Sequence, residues 1–483
     1  MPLRTKIASH GFRAAVTVAL ILGPAVLSGQ STSAYGSGPV WWNPGQGGLL
    51  PWDQAYENPD GQVGIVNRTG AVHTEDHPFF ESLGTNRRAC VTCHQPSSGM
   101  SVSAASLRQR WKETDGRDPV FAAVDGSNCP DLPQGVLNSH SLLLERGLFR
   151  ISLPWPPRSA GGGVIKPEFK IEVVRDEAGC NTSPVYGLQR KSPSISVYRR
   201  PRIAANLEYV VAGRDGITFM ADGREPSLIS QATTAVMVHE QAQTAPTPQQ
   251  LRRIVDFETQ IYAAQISDIR GGLLNEKRGP LLLGPENLSS KSAGSLGGDP
   301  GNSPFLSFDV WQKRTGERDL GLQPEFRASV ARGSEVFFSR PLRIPDTVTL
   351  DKSDQPGMQT CASCHMAGTT RWMDIGTTNV PPPKASNQLP VFRITCDGAA
   401  PAHPLLGRVF YTQDPGRALI SGKCADVGSI VLQQLRALAA RAPYFSNGSA
   451  RTLREVVDFY DRRFAIGYTE QEKQDLVNFL SVL

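Results

Sequence analysis

The sequence predicts a mainly α-helical chain with long irregular loops and little sheet, divided into two similar domains. Three observations carry this reading. The pentapeptide Cys-x-x-Cys-His occurs twice, at Cys90-Val91-Thr92-Cys93-His94 and at Cys361-Ala362-Ser363-Cys364-His365. Helix-period apolar patterns accompany each copy. The 46 glycines and 37 prolines demand plentiful loops. Each pentapeptide puts two thiols and an imidazole on one short turn. The thiols can add to the vinyl groups of a haem and the imidazole can ligate its iron, so the pattern implies two covalently bound haem c groups. The expected architecture is therefore two cytochrome c-like domains, at 31–290 and 324–483, joined by a linker at 291–323.

The elements follow in order along the 483 residues. Residues 1–30 read as a signal peptide. Arg4, Lys6 and Arg13 precede the apolar run Ala14–Leu22, and small residues follow at Ala25, Ser28 and Gly29. The run is shorter than a membrane span of about 20 residues, so cleavage and export to the periplasm are expected, with no stable membrane span afterwards. Residues 31–75 read as an irregular arm. The first haem segment begins near His77. A long irregular region with Pro154, Pro156, Pro157 and Gly161-Gly162-Gly163 comes next. Helices are expected at 227–239 and 247–265. Residues 284–304 are dominated by Gly, Ser, Pro and Asn. The second half opens with a helical pattern at 324–338. It ends with two helices announced by Ser/Thr-x-x-Glu caps, Thr452 with Glu455 and Thr469 with Glu472.

The formal net charge is +5, and loss of the leader removes three of those positive charges. No basic patch remains to suggest nucleic acid. Four cysteines lie outside the haem motifs. Of their three pairings, Cys129–Cys180 and Cys396–Cys424 are favoured because each stays within one domain.

Two polar residues fall on apolar helical stripes. Thr247-Pro248 opens a helix on which Leu251, Ile254, Val255, Glu258, Ile261 and Tyr262 share one face. A carboxylate there is either paired, for example with Arg252 or Arg224, or used. On the penultimate helix Leu453, Val456, Val457 and Tyr460 point inward; Tyr460 either bonds a backbone carbonyl or ligates iron. Met100 and Met373 follow the two motif histidines and could offer thioethers or simply pack. His239 could ligate, gate or hydrogen-bond. His140 and His403 have no informative context.

The chain resembles the bacterial dihaem cytochrome c peroxidases and their relative MauG, which oxidises a partner protein. The resemblance rests on Arg332-Gly333-Ser334-Glu335-Val336-Phe337 before the second motif, then Asp414-Pro415-Gly416-Arg417-Ala418-Leu419, Ala442-Pro443-Tyr444-Phe445-Ser446-Asn447-Gly448-Ser449 and Thr452-Leu453-Arg454-Glu455-Val456-Val457-Asp458-Phe459-Tyr460. Asp222-Gly223-Arg224-Glu225-Pro226-Ser227-Leu228 and Ile254-Val255-Asp256-Phe257-Glu258 add weaker matches. The resemblance implies that His94 and His365 are the iron ligands. It further implies that Glu258 is the acid/base facing the reactive haem, that Arg224 lies near the propionates, and that Tyr460 is an axial ligand. Three positions depart from the family pattern. Ser446 replaces its histidine and Ala221 its tryptophan, and the threonine near its inter-haem calcium site is not evident in Leu438–Ala442.

The expected function is a periplasmic peroxidase that reduces hydrogen peroxide with electrons from a small cytochrome c or copper protein. A MauG-like oxidase acting on a protein or organic substrate is one alternative. A dihaem electron-transfer protein without catalysis is another.

Overall fold

The computed structural model describes residues 40–211, 218–276, 278–281, 283–290, 308–313, 322–343, 358–365, 371–373, 377–378, 380 and 388–483. The expected signal peptide and most of the expected linker lie outside these residues. No helix among the described residues is long and apolar enough to cross a membrane.

Of the described residues, 33% are helical and 20% strand. The chain is therefore neither mainly α nor poor in sheet, and the sequence-based fold class is corrected on both counts. The principal strands are β1 (Asp53–Asn58), β2 (Gly61–Asn67), β3 (Phe149–Pro154), β4 (Phe169–Arg175), β5 (Ser194–Arg199), β6 (Ile261–Asp268), β7 (Gly272–Leu273), β8 (Val391–Cys396) and β9 (Val409–Thr412). They form a four-stranded sheet β1-β2-β6-β7, a three-stranded sheet β9-β8-β4 and a two-stranded pair β3-β5. All these pairings are antiparallel.

The physical reasons are readable in the residues. Asn58-Pro59-Asp60-Gly61 is a turn sequence, and it folds the expected irregular arm into the β1–β2 hairpin. Gly61 is needed there, because a Cβ would lie 2.2 Å from the Ser267 carbonyl oxygen. In β4 the alternation Phe-Lys-Ile-Glu-Val-Val-Arg turns Phe169 inward and Lys170 outward. β8 is rich in β-branched and aromatic residues and is buried between its two neighbours.

The main helices are α1 (Ala104–Thr114), α2 (Leu228–His239), α3 (Pro248–Gln260), α4 (Leu322–Ser339), α5 (Leu453–Phe464) and α6 (Glu470–Ser481). Helix α3 stops at Gln260, and Ile261 enters β6 with an extended backbone. Ile261 and Tyr262 thus extend a strand, not the helical stripe expected to run to 265. The Thr469 cap is reciprocal with Glu472. Thr452 caps the Glu455 N–H, but the Glu455 carboxylate turns to the Arg451 N–H.

Hydrophobic clusters surround each haem motif. One joins Phe79, Val91, Ile254, Phe257 and Ala437 beside Cys90. Another joins Phe337, Val457, Phe479 and Leu480 beside Cys361. A third fills the β9-β8-β4 and β3-β5 sheets, whose strands come from both sides of the expected linker. Disulfides join Cys129 to Cys180 and Cys396 to Cys424, the favoured pairing. The first closes a 51-residue interval. Replacing Cys129 and Cys180 with Ser is expected to cost about 2–4 kcal/mol, because the unfolded chain gains that loop's freedom. Denaturant unfolding of the variant checks this; an unchanged midpoint contradicts it.

Candidate functional site

The first motif is a single tight turn. Cys93 and His94 N–H groups donate to the Cys90 carbonyl, and the Ala89 N–H donates to Thr92 Oγ1. Gln95 locks the turn from below. Its side-chain amide donates to the Trp42 and Val91 carbonyls, and the Met100 N–H donates to its own carbonyl. Met100 is fully buried and adopts a φ of +61°. This aims its carbonyl at His94, whose Nδ1 donates to it at 3.1 Å. That bond places the proton on Nδ1 and leaves Nε2 as the ring's nitrogen with a lone pair. Burial pushes His94 down to about 4, against the pull of the Met100 bond, so the ring is neutral and able to ligate.

The second motif forms the short helix Cys361–His365. Burial lowers His365 to about 4 as well. Its Nδ1 is buried with no hydrogen-bond partner. Cys361 Sγ lies 3.8 Å from the Tyr468 hydroxyl. The side chain of Cys364 lies outside the described residues, as does that of Met373.

Both histidines open onto one cavity of about 360 Å³, which Cys93 also lines. Haem c fits this donor set. Neutral imidazoles converge on a mostly apolar space beside thiols held by short turns, and His365 Nδ1 has no hydrogen-bond partner there. Among the described residues no three His, Cys, Asp or Glu side chains gather into a metal-binding group. Single axial ligands to haem iron do not require such a group.

Glu258 reaches the same cavity from α3. It is 5% exposed, and its Oε2 has no hydrogen-bond partner. The salt bridge to Arg252 or Arg224 is not formed. Arg224 lines the cavity but pairs with Asp222 at 2.8 Å. With burial alone acting on it, the Glu258 carboxyl is pushed up to about 8 and holds its proton at neutral pH.

His239 ends α2 on the cavity wall, and its Nδ1 donates to Asp125 Oδ2 at 2.5 Å. Asp125 in turn pairs with the buried Arg88. The Nδ1 and Nε2 atoms of His140 face the backbone carbonyl oxygens of Gly126 and Gln134 at 2.7 and 2.9 Å, a structural role. His403 accepts the Leu405 and Leu406 N–H groups through Nδ1.

Tyr460 does not line the cavity. It is half-buried in a ring cluster with Phe445 and Phe459, stacked on Phe464 at 6.0 Å. Sequence reasoning missed Glu240, which is 3% exposed. Its Oε2 accepts the Leu83 N–H at 2.9 Å, and Cys90 Sγ donates to its Oε1 at 3.8 Å. Burial pushes Glu240 up to about 8, ahead of the opposing Leu83 bond. Asp125 and Arg88 were missed too. Only long-range packing buries these three, so no local periodicity marks them.

No family model matches the chain. Among curated proteins it is similar to "Cytochrome-c peroxidase IdrP1" of Pseudomonas sp. (strain SCT). The two are 28% identical over 183 residues, which covers 32% of this chain and 46% of that protein. The match thus spans less than half of the relative's length. It supports a cytochrome c peroxidase-like relationship and lends nothing specific to MauG.

Proposed function

We propose that the chain is an exported dihaem c-type peroxidase that reduces hydrogen peroxide to water. The observation that carries this reading is the neutral, partnerless carboxyl of Glu258 in the cavity that His94 enters. Haem c, when bound, supplies the iron centre and the electron storage. The chain's own residues do the rest. His94 and His365 present neutral nitrogens for ligation. The apolar walls exclude bulk water, which strengthens charge interactions inside. Glu258 holds a proton at pH 7 and can pass it to a peroxide oxygen, since cleavage of the O–O bond to two waters takes up two protons. The two electrons come from a small redox protein such as a cytochrome c or copper protein. The two disulfides suit an oxidising compartment such as the periplasm.

The geometry gives no matching support for the MauG-type alternative, because Tyr460 stands in its own ring cluster. Purified haem-loaded protein mixed with reduced cytochrome c and peroxide tests the proposal. Peroxide-dependent oxidation of the cytochrome at about 1–10³ s⁻¹ is expected. A spectrum without high-spin haem, together with no reaction with peroxide, sinks the enzyme reading and leaves electron transfer alone.

A further inference from the structure

Three arginines of this chain, Arg200 and Arg441 buried and Arg202 half-buried, form a group of like charge that no carboxylate among the described residues neutralises. Arg200 and Arg202 line the cavity, and Arg441 lies against them, 5% exposed. Their hydrogen bonds go to neutral acceptors. Arg200 donates to the carbonyls of Arg146, Val102 and Arg441 at 3.1, 2.7 and 2.7 Å. Arg202 donates to the carbonyls of Val431 and Leu432. Arg441 donates to the carbonyls of Arg436 and Gln434 and to Gln433 Oε1. None of the three has an ion pair among the described residues. Asp222, the acid that acts on Arg202, is already bonded to Arg199 and Arg224. Arg436 brings a fourth guanidinium to the same cavity wall.

Carbonyl partners satisfy N–H groups but leave the charge. Buried unpaired cations are costly, and neighbouring ones repel. The direction of their titration agrees. Burial first, and then Arg441, lowers Arg200 to about 9. Burial alone lowers Arg436 to about 10, and does the same to Arg441. An arginine has five N–H donors. Arg202 spends two on carbonyls and keeps the others for a further acceptor. A planar guanidinium suits a carboxylate in paired contact.

We propose that Arg200 and Arg202, backed by Arg441 and joined by Arg436, form an anion seat for paired carboxylates, and that its ligand is the propionate groups of the haem in this cavity. The proposal rests on the haem reading above. A seat of fixed positive charge also favours the reduced iron, which carries one positive charge fewer. The ligand chemistry could equally come from a small free dicarboxylate, and the experiment separates the two.

Potentiometric titration of the haem-loaded protein, followed by absorbance, tests the seat. Arg202→Gln removes the charge; Arg202→Lys keeps it and serves as the folding control. The expected result for Arg202→Gln is a tenfold drop in the reduced-to-oxidised ratio of one haem at fixed poise. That is about 59 mV for one electron. Arg202→Lys should recover most of it. Equal potentials in all three proteins overturn the proposal. So does a saturable rise in melting temperature with added succinate in the wild type that Arg202→Gln lacks, since the seat is then open to a free anion. Wild-type protein that carries haem but fails to consume peroxide defeats the peroxidase reading and leaves the seat standing.

Discussion

Replacing Glu258 with Gln is expected to slow peroxide consumption by about 10²–10⁴-fold, the usual worth of a positioned proton donor. Gln keeps the shape and the polarity but has no proton to release. The effect should be confined to that step. Glu258 makes no ion pair whose loss could disturb the fold, so the absorbance spectrum should hardly move, while the melting temperature near neutral pH should rise, because Gln spares the folded state the uptake of a proton. The pH dependence gives an independent check. The carboxyl is pushed from its ordinary 4.5 up to about 8 by burial. Below 8 it is protonated and can act as an acid; above 8 it is charged and cannot. Wild-type activity should therefore fall as pH rises through 8, and the variant should lack that limb. Stability follows the same sign. Between 4.5 and 8 the folded protein holds a proton that the unfolded chain has lost, so this group's contribution is fully present below 4.5 and fades as pH rises to 8. Stopped-flow peroxide kinetics and melting curves at pH 6 and 9 measure both. An unchanged rate removes Glu258 from the mechanism.

How much of this could be read beforehand depends on the range of the interaction. The two Cys-x-x-Cys-His motifs were legible because their thiols and imidazole are confined to five residues. Glu258 was legible as a buried carboxylate because helical periodicity is local; Leu251 and Ile254 share its buried face. The same periodicity misled at Ile261 and Tyr262, which are apolar because a strand is buried there. The β9-β8-β4 sheet was not legible. Strand β4 pairs with β8 from beyond the second haem motif, and neither strand alone outweighs the Pro- and Gly-rich surroundings. Nothing local in the sequence marks Arg200, Arg202 and Arg441 as neighbours. Their burial comes from Val102, Arg146 and the 431–436 segment meeting in space. The cavity's electrostatics are thus a product of tertiary contacts, whereas its motif histidines are written locally.

The largest stability effect should come from a residue that touches no reacting group. Arg199 ends β5, fully shielded, and holds two acids from separate turns. Its Nε and Nη2 donate to both Asp414 oxygens at 2.6 and 2.9 Å, and its Nη1 donates to Asp222 at 2.6 Å. Asp222 also takes Arg224, and Asp414 accepts the Gly416 N–H. Burial alone would push Asp222 up, but Arg199 and then Arg224 outweigh it and hold the acid below its usual range. Methionine at 199 matches the volume of the stem but leaves Asp414 without its ion pair and Asp222 with only Arg224. Breaking one side of a buried network costs about 3–5 kcal/mol. The surface pair Arg117–Asp115, with side chains 77% and 78% exposed, is the contrast. Its removal should cost about 0–1 kcal/mol, because water already solvates both charges. Denaturant titrations of Arg199→Met and Arg117→Met on haem-loaded protein compare the two directly. Because Arg199 joins β5, the 218–225 turn and the 412–417 turn, its loss should also loosen the wall on which Arg224 and Arg202 stand. If Arg199→Met costs no more than Arg117→Met, the network does not hold these segments together, and the sheet and its disulfides must do so alone.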